Sequence, residues 1–406
     1  METVTFLSLI SVTLGKASTG LGFTVGDLIY GLAIVFSART RFQKSADNAF
    51  SSYAILSITL VIWAIVDLIL VLSVRPMMPL AEFGGSFSKL FLYSFGGIFV
   101  LNRLMHQNSG DIQHSLRLML VFSTAIGYLA MAAQYLNHYA NLEVPVSFIW
   151  VGQGDTAAAA GEFQLAGFVI YKARGLFMEP SLYSVFTVLL LALDRADSPR
   201  GSFSAFRRSI SIFSVLLTFS LTGYFLLFTY LFSALLRRHR FTSFELRSAV
   251  LLSIALVALL IPAADLIYEF IIQRTAGLLA GDDRSGSLRW LGSYDTMVFA
   301  LRQSPLLGSG IGFLDILPSI NGIEFSYQTD VQEFVTSTGN IQIVPFYFLG
   351  ALGPLGLIIF ILMVLPIMKA RLTYGIVFLA SLFAHGGALE AIFWLFLLLG
   401  IRLRKD

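Results

Sequence analysis

Between residues 49 and 74 the chain carries a single charged side chain, Asp67. A helix needs about 20 apolar residues to cross the hydrocarbon layer of a bilayer, and this run is long enough. Comparable apolar runs occupy residues 22–38, 88–104, 116–136, 176–193, 210–236, 249–271, 343–368 and 372–399. A shorter one, 6–14, reads as half a hairpin. Charged residues make up 13% of the chain, about half the share typical of soluble domains. Lipid offers the backbone no hydrogen bonds, so spans of this kind close their own as helices. The expected fold class is all-α: a polytopic helical membrane protein whose length is mostly spent in lipid.

The basic residues set the expected orientation. Arg39, Arg41 and Lys44; Arg103 and Arg117; Arg195, Arg200, Arg207 and Arg208; Arg237, Arg238, Arg240 and Arg247; Lys369 and Arg371; and Arg402, Arg404 and Lys405 all fall at run ends. The positive-inside rule assigns these to the cytoplasm, and with them the C-terminus. Two runs are basic at both ends. Residues 210–236 would reach about 40 Å as one helix, longer than one hydrocarbon thickness. Their centre, FSLTGY, holds Ser220, Thr222 and Gly223, so two short helices are expected, shielded by neighbouring protein. Residues 372–399, with HGG (385–387) and Glu390 near the middle, are expected to break in the same way. The count becomes about 11 or 12 crossings, depending on residues 6–14. Two long segments, 137–175 and 273–342, fall on the opposite, periplasmic side. Loops beyond about 15 residues are usually functional or disordered.

Composition removes several chemistries. There is no cysteine, hence no disulfide and no thiolate catalysis. The five histidines, His106, His114, His138, His239 and His385, never fall at i, i+3 or i+4, so no helical metal pair is expected. The net charge is +3, with the arginines at span ends, which reads as topology and not as nucleic-acid binding. The first twenty residues lack a charged start followed by a small-residue cleavage site, so no removable signal peptide is expected. No repeat of fixed period is seen.

The charge of the two long loops calls for a reason. Arg174, Arg274, Arg284, Arg289 and Arg302 lie where the positive-inside rule disfavours arginine. A guanidinium presents a planar fork suited to phosphate and carboxylate. An anionic ligand and pairing with nearby acids are the two readings. In ARGLFMEPSLYS, residues 173–184, Pro180 suits the first turn of a helix, where its missing N–H costs nothing. Glu179 then lies at or beside the N-cap, favoured by the helix dipole. The stretch SPLLGSGIGF, residues 304–313, contains glycines at alternate positions but opens no βαβ unit, so it reads as a tight turn and not a nucleotide site. Asp67 and Glu390 are intramembrane acids, which are functional candidates by default; for Asp67 the equal alternative is a packing residue bonded to a neighbouring helix.

Taken in order, these elements resemble the bacterial O-antigen polymerase (Wzy) and O-antigen ligase superfamily, over most of the chain from about residue 20 onward. The resemblance rests on Arg174, Gly175, Phe177, Glu179, Pro180 and Ser181 entering a span, then on the paired-helix segment with Thr218, Ser220, Thr222 and Gly223. It continues with Arg289 in SGSLRW, with Pro305, Leu306, Gly308, Gly310 and Gly312, and with Asn340 before a span containing Gly350, Gly353 and Gly356. Ligases of the superfamily often carry histidine beside that asparagine. Here the neighbour is Gly339, and residues 273–342 contain no histidine, which favours the polymerase branch.

The resemblance implies a GT-C-type membrane glycosyltransferase of the bacterial inner membrane, needing neither metal nor cofactor. Its substrate would be an undecaprenyl-diphosphate-linked oligosaccharide, drawn from the membrane lipid phase. A chain-length regulator and a flippase are the implied protein partners. On this reading Arg174 and Arg289 stabilise the departing diphosphate, with Arg284 and Arg302 as further candidates. Glu179 has two candidate roles, general base or orienting partner of Arg174. Asp295 and Asn340 are candidates for sugar hydroxyls. Trp290 and Tyr294 are candidates either to stack on a sugar face or to pack in the core. The rival readings are a ligase for finished polymer and a transporter for the same lipid-linked sugar; a transporter would favour inverted repeats and mid-membrane charges.

Overall fold

The computed structural model describes residues 3–13, 24–40, 48–74, 80–140, 162–165, 168–171, 177, 180–194, 202–236, 287–314, 316–317, 343–370, 372–384 and 387–403. Four helices among them are long and apolar enough to cross a membrane: Asn48–Ser73, Phe83–His106, Ser109–Ala140 and Val344–Met368. Six shorter apolar helices accompany them. The protein is an all-α polytopic membrane protein. One local exception occurs: the first long loop holds an antiparallel hairpin, β1 (Glu162–Leu165) and β2 (Phe168–Tyr171), with Glu162 opposite Tyr171 and Leu165 opposite Phe168. The hairpin closes its own backbone hydrogen bonds strand to strand.

Helices α1 (Thr3–Thr13) and α2 (Val25–Ala38) pack on each other. Eleven residues rise only about 16 Å, about half of the hydrocarbon thickness. The start of α2 carries a capping box. The Thr24 hydroxyl accepts from the Asp27 N–H at 3.1 Å, and the Asp27 carboxylate accepts from the Thr24 N–H at 2.7 Å. This satisfies orphan donors of a helix start that sits in the protein interior.

Helix α3 (Asn48–Val74) turns Ile55, Ile58, Ile62, Ile65 and Ile69 outward, where all are exposed. In water such a stripe would be an interaction patch; in a chain of this composition it is the lipid face. Helix α4 (Leu80–Leu90) passes through a π-helical turn, Phe91–Phe95, into α5 (Gly96–His106). The Tyr93 hydroxyl donates to the Asp27 carboxylate, and Tyr53 donates to the Ser94 carbonyl at 3.2 Å. This inserted turn therefore delivers a polar group to the α2 start.

Helix α6 (Ser109–Ala140) meets α7 (Pro180–Leu193) and α8 (Ser202–Leu216). Between lipid-bathed helices the hydrophobic effect supplies little drive, so close approach over small residues matters. A Cβ on Gly127 would lie 2.6 Å from the Tyr183 hydroxyl, and that hydroxyl reaches on to Ser214 Oγ at 2.9 Å. Three helices meet at one tyrosine.

Both expected breaks occur. Residues 210–236 are divided between α8 and α9 (Leu221–Leu236), with Phe219 at a positive φ of 49° in the turn. Residues 372–399 are divided between α12 (Leu372–Ala384) and α13 (Ala391–Arg402), with Glu390 at the N-cap of α13. The expected span at 249–271 lies outside the described residues.

One end of the bundle collects basic residues. Arg402 donates to the carbonyls of Leu104 and Gln107 at 2.8 and 2.6 Å, Arg103 reaches Thr40 Oγ1 at 3.4 Å, and Thr5 donates to the Gln107 side chain at 2.8 Å. Arg117, Arg207 and Arg208 converge on Asp194 at the end of α7. The ends of α2, α5, α7 and α13 and the starts of α1 and α6 thus share an arginine-rich face. Their other ends are distal.

Candidate functional site

The described part of the second long loop, residues 287–314, packs on the membrane helices. A π-helical turn, Ser287–Gly292, leads into α10 (Ser293–Gln303). The glycine stretch follows and docks on α11 (Val344–Ala370), which is broken at Gly353, with φ 66° and ψ −170°. The physical cause of the break is Pro354. It has no N–H, so the Gly350 carbonyl loses its helical donor four residues on. Ser309 supplies the missing donor, its N–H lying 2.9 Å from the Gly350 carbonyl, and Gly310 does the same for Ala351 at 2.9 Å. The third carbonyl in the row, Leu352, accepts from the Trp63 indole of α3 at 2.9 Å. Irregular backbone at membrane depth persists only where protein shields and satisfies it, and here a loop and an indole do both. Trp63→Phe removes one donor and leaves a buried carbonyl orphaned, which costs about 1–3 kcal/mol; the detergent-solubilised variant should melt several degrees below the parent.

The glycines at 308, 310 and 312 all have positive φ, so the tight turn expected at SPLLGSGIGF is present. Close approach accounts for the glycine at 308: a Cβ there would lie 2.4 Å from the Gly350 carbonyl oxygen.

Asp67 sits beside this junction. Trp63, Asp67 and Val71 are spaced by four on α3 and share one face. Trp63 holds α11, and Val71 lies 3.7 Å from where a Cβ on Gly310 would be. Asp67 is fully buried, and both its carboxyl oxygens lack a hydrogen-bond partner among the described residues.

A second junction forms where α7 begins. The helix starts at Pro180, as the Glu-Pro sequence predicts. Ser184 Oγ lies 3.1 Å from Thr218 Oγ1, and a Cβ on Gly223 would fall 2.5 Å from Ser184 Oγ. The first turn of α7 and the α8–α9 break are therefore one packed unit.

Helix α12 links the two junctions. It packs on α7 and α9 and also on α11. At its distal end the Phe383 ring stacks on Trp290, with centroids 6.4 Å apart, while Tyr294 meets Phe346 of α11 edge-on at 6.1 Å. Both loop aromatics pack one face on the bundle yet remain exposed, Trp290 by 43% and Tyr294 by 50%. Core packing and an available ring face thus coexist. Asp295 is half-buried in the first turn of α10, and Arg302 is exposed in its last turn. Arg289 belongs to the π-helical turn, next to Trp290; its side chain lies outside what is described. Arg174, Glu179, Arg284 and Asn340 also lie outside the described residues.

Two further features are not evident from sequence patterns alone. The Asp27–Tyr93 pair joins elements far apart in the chain; only the T-x-x-D capping signature ahead of an apolar run marks its first member. Asp194, at the end of an apolar run in LALDRAD, is the hub of the arginine cluster. In comparisons with known proteins, no family model matches the chain, and no curated protein matches it. The established description is therefore that of a multi-pass, all-helical membrane protein.

Proposed function

We propose that this protein is a membrane glycosyltransferase of the GT-C kind, acting as a polysaccharide polymerase at the periplasmic face of the bacterial inner membrane. It transfers a growing glycan from undecaprenyl diphosphate to a hydroxyl of the next lipid-linked unit. The observation that carries this reading is the placement of α12 between motif blocks. It packs on α7 and α9, which hold the Pro180 start and the far side of the α8–α9 break, and its Phe383 stacks on Trp290, the neighbour of Arg289. Helices α12 and α13 rise only about 18–20 Å by their length, against about 30 Å of hydrocarbon.

In the reaction, the bond from the anomeric carbon to the phosphate oxygen breaks and a bond to the acceptor oxygen forms. The acceptor proton passes to a base, and undecaprenyl diphosphate leaves. Arg174 and Arg289 take the growing diphosphate charge, aided by Arg284 and Arg302. Glu179 serves either as the base or as the brace of Arg174. Asp295 and Asn340 bind sugar hydroxyls, with Trp290 and Tyr294 as stacking surfaces.

The test is a purified, full-length protein given a defined undecaprenyl-diphosphate oligosaccharide. A ladder of lipid-linked multimers is the expected product. Transfer only to an added lipid A core would instead mean a ligase, and movement across vesicles without new bonds would mean a flippase. Arg174→Lys keeps the charge but loses the bidentate fork, and it should lose the ladder along with Arg174→Ala and Arg289→Ala. Long products from all three at normal protein levels would remove these arginines from the site.

A further inference from the structure

Asp67 is the only charged residue between positions 49 and 74, and it is fully buried. Neither of its carboxyl oxygens has a hydrogen-bond partner among the described residues. The other two buried acids of the described residues are treated differently. Asp194 keeps its charge against Arg117, Arg207 and Arg208. Asp27 accepts from the Thr24 N–H and from the Tyr93 hydroxyl. A carboxylate at position 67 would have neither a cation nor a donor nor water, and an isolated buried charge is among the costliest states a side chain can take.

The neighbouring elements do not lift that cost. Of the elements packed on α3, α11 carries Tyr347 and Lys369, the π-helical turn Tyr93, and α5 Arg103 and His106; α3 itself adds Tyr53. Helix α4, whose Phe83 meets Phe313 of the glycine stretch, carries Glu82 and Lys89. Residues 304–314 carry no titratable side chain. Tyr93 is engaged by Asp27, Tyr53 by the Ser94 carbonyl and Arg103 by Thr40, and no member of this set donates to Asp67.

The N–H donors at the junction beside Asp67 are also spent. Ser309, Gly310 and the Trp63 indole all serve the carbonyls freed by the break in α11. Trp63 and Val71 flank Asp67 on one face of α3, the first bonded to Leu352 and the second against Gly310. A carboxylate between them would gain donors or water only by taking this junction apart. A proton removes the charge and needs neither a cavity nor further ligands, whereas a metal cation asks for several oxygens.

We infer that Asp67 is a proton-binding site that holds its proton while the glycine stretch is docked on α11 and releases it when that junction opens. The inference does not rest on the transferase reading. Its sign follows from linkage. A carboxyl of the unfolded chain is ionised above about pH 4. The folded protein then holds one proton more than the unfolded chain, so stability falls as pH rises, by up to about tenfold in the folding constant per pH unit. The fall ends where the folded protein gives up the proton as well.

The experiment compares the full chain, purified in neutral detergent, with Asp67→Asn, which keeps the shape and cannot ionise. Asp67→Leu is the second variant; it leaves no partner orphaned, so it reports even where the amide fails to fold. At neutral pH the parent should show the infrared carbonyl band of a protonated carboxyl free of hydrogen bonds, and both variants should lack it. Melting temperatures taken between about pH 5 and pH 9 should fall away from those of the variants as pH rises. Protease cleavage within residues 304–313 should rise with pH in the parent more than in the variants. Sodium or lithium at fixed pH should leave these differences unchanged. An infrared spectrum that the variants share with the parent, parallel pH profiles, cleavage that does not follow pH, or stabilisation of the parent alone by sodium or lithium would each overturn the assignment.

Discussion

Gly353→Ala and Gly308→Ala, made singly, should each destabilise the protein by upwards of about 4 kcal/mol, the sum of backbone strain and lost hydrogen bonds. Gly353 occupies φ 66°, ψ −170°, a region open essentially to glycine alone. A Cβ there would also stand 2.2 Å from the Leu306 carbonyl oxygen; at Gly308 it would stand 2.4 Å from that of Gly350. Neither contact can relax by rotating a side chain, because both partners are backbone. The loop must lift, and the Gly350 and Ala351 carbonyls then lose the Ser309 and Gly310 donors that replace the helical bonds broken at Pro354. Melting in detergent and protease cleavage within residues 304–313 are the readouts. Gly31→Ala is the control: it lies within α2, where a Cβ would touch only Leu92 at 4.0 Å, and alanine favours helix by about 1 kcal/mol. If Gly353→Ala melts with the parent, the docked-loop account is wrong.

Asp194→Asn should cost about 3–5 kcal/mol, the usual penalty for removing one partner from a buried ion pair. The amide keeps the shape but not the charge, so the loss isolates electrostatics from packing. Three guanidiniums would then face one another around a neutral group, and Arg207, only 9% exposed, would lose its carboxylate partner. The double variant Asp194→Asn, Arg207→Gln should recover part of the loss, because the uncompensated buried cation goes with it. Melting curves of the four proteins in one detergent give the coupling; additive losses would show that the carboxylate does not hold the arginine.

The secondary structure was largely legible in sequence because lipid imposes a simple condition: long apolar runs must be helices with their backbone bonds closed internally. That condition also exposed the two runs that could not be single spans. Residues 210–236 and 372–399 were basic at both ends, and each is indeed two helices. Pro180 marked the start of α7 for a local reason, its missing N–H. The break in α11 was not anticipated, although Gly353 and Pro354 stand in plain view. Whether a Gly-Pro pair kinks a helix or opens it depends on what comes to satisfy the freed carbonyls. Here the donors are Ser309, Gly310 and Trp63, the last almost three hundred positions away.

The site was legible in a different degree. Arginines placed against the topological rule drew attention to the long loops, and Trp290 and Tyr294 do lie on the bundle. The sequence placed Arg117, Arg207 and Arg208 among residues that merely mark orientation. Only folding brings them onto Asp194.

By itself, then, the sequence determined what lipid chemistry dictates locally: which segments are helical, where they must break, which ends are basic, and which chemistries the residue inventory forbids. Tertiary structure decided which polar groups meet. It set the glycine loop on the broken helix, the Tyr93 hydroxyl on the Asp27 carboxylate, and three arginines on one carboxylate. The reason is physical: apolar helices are nearly interchangeable toward lipid. The partners of buried polar groups are set by distance and direction, which no period in the sequence encodes.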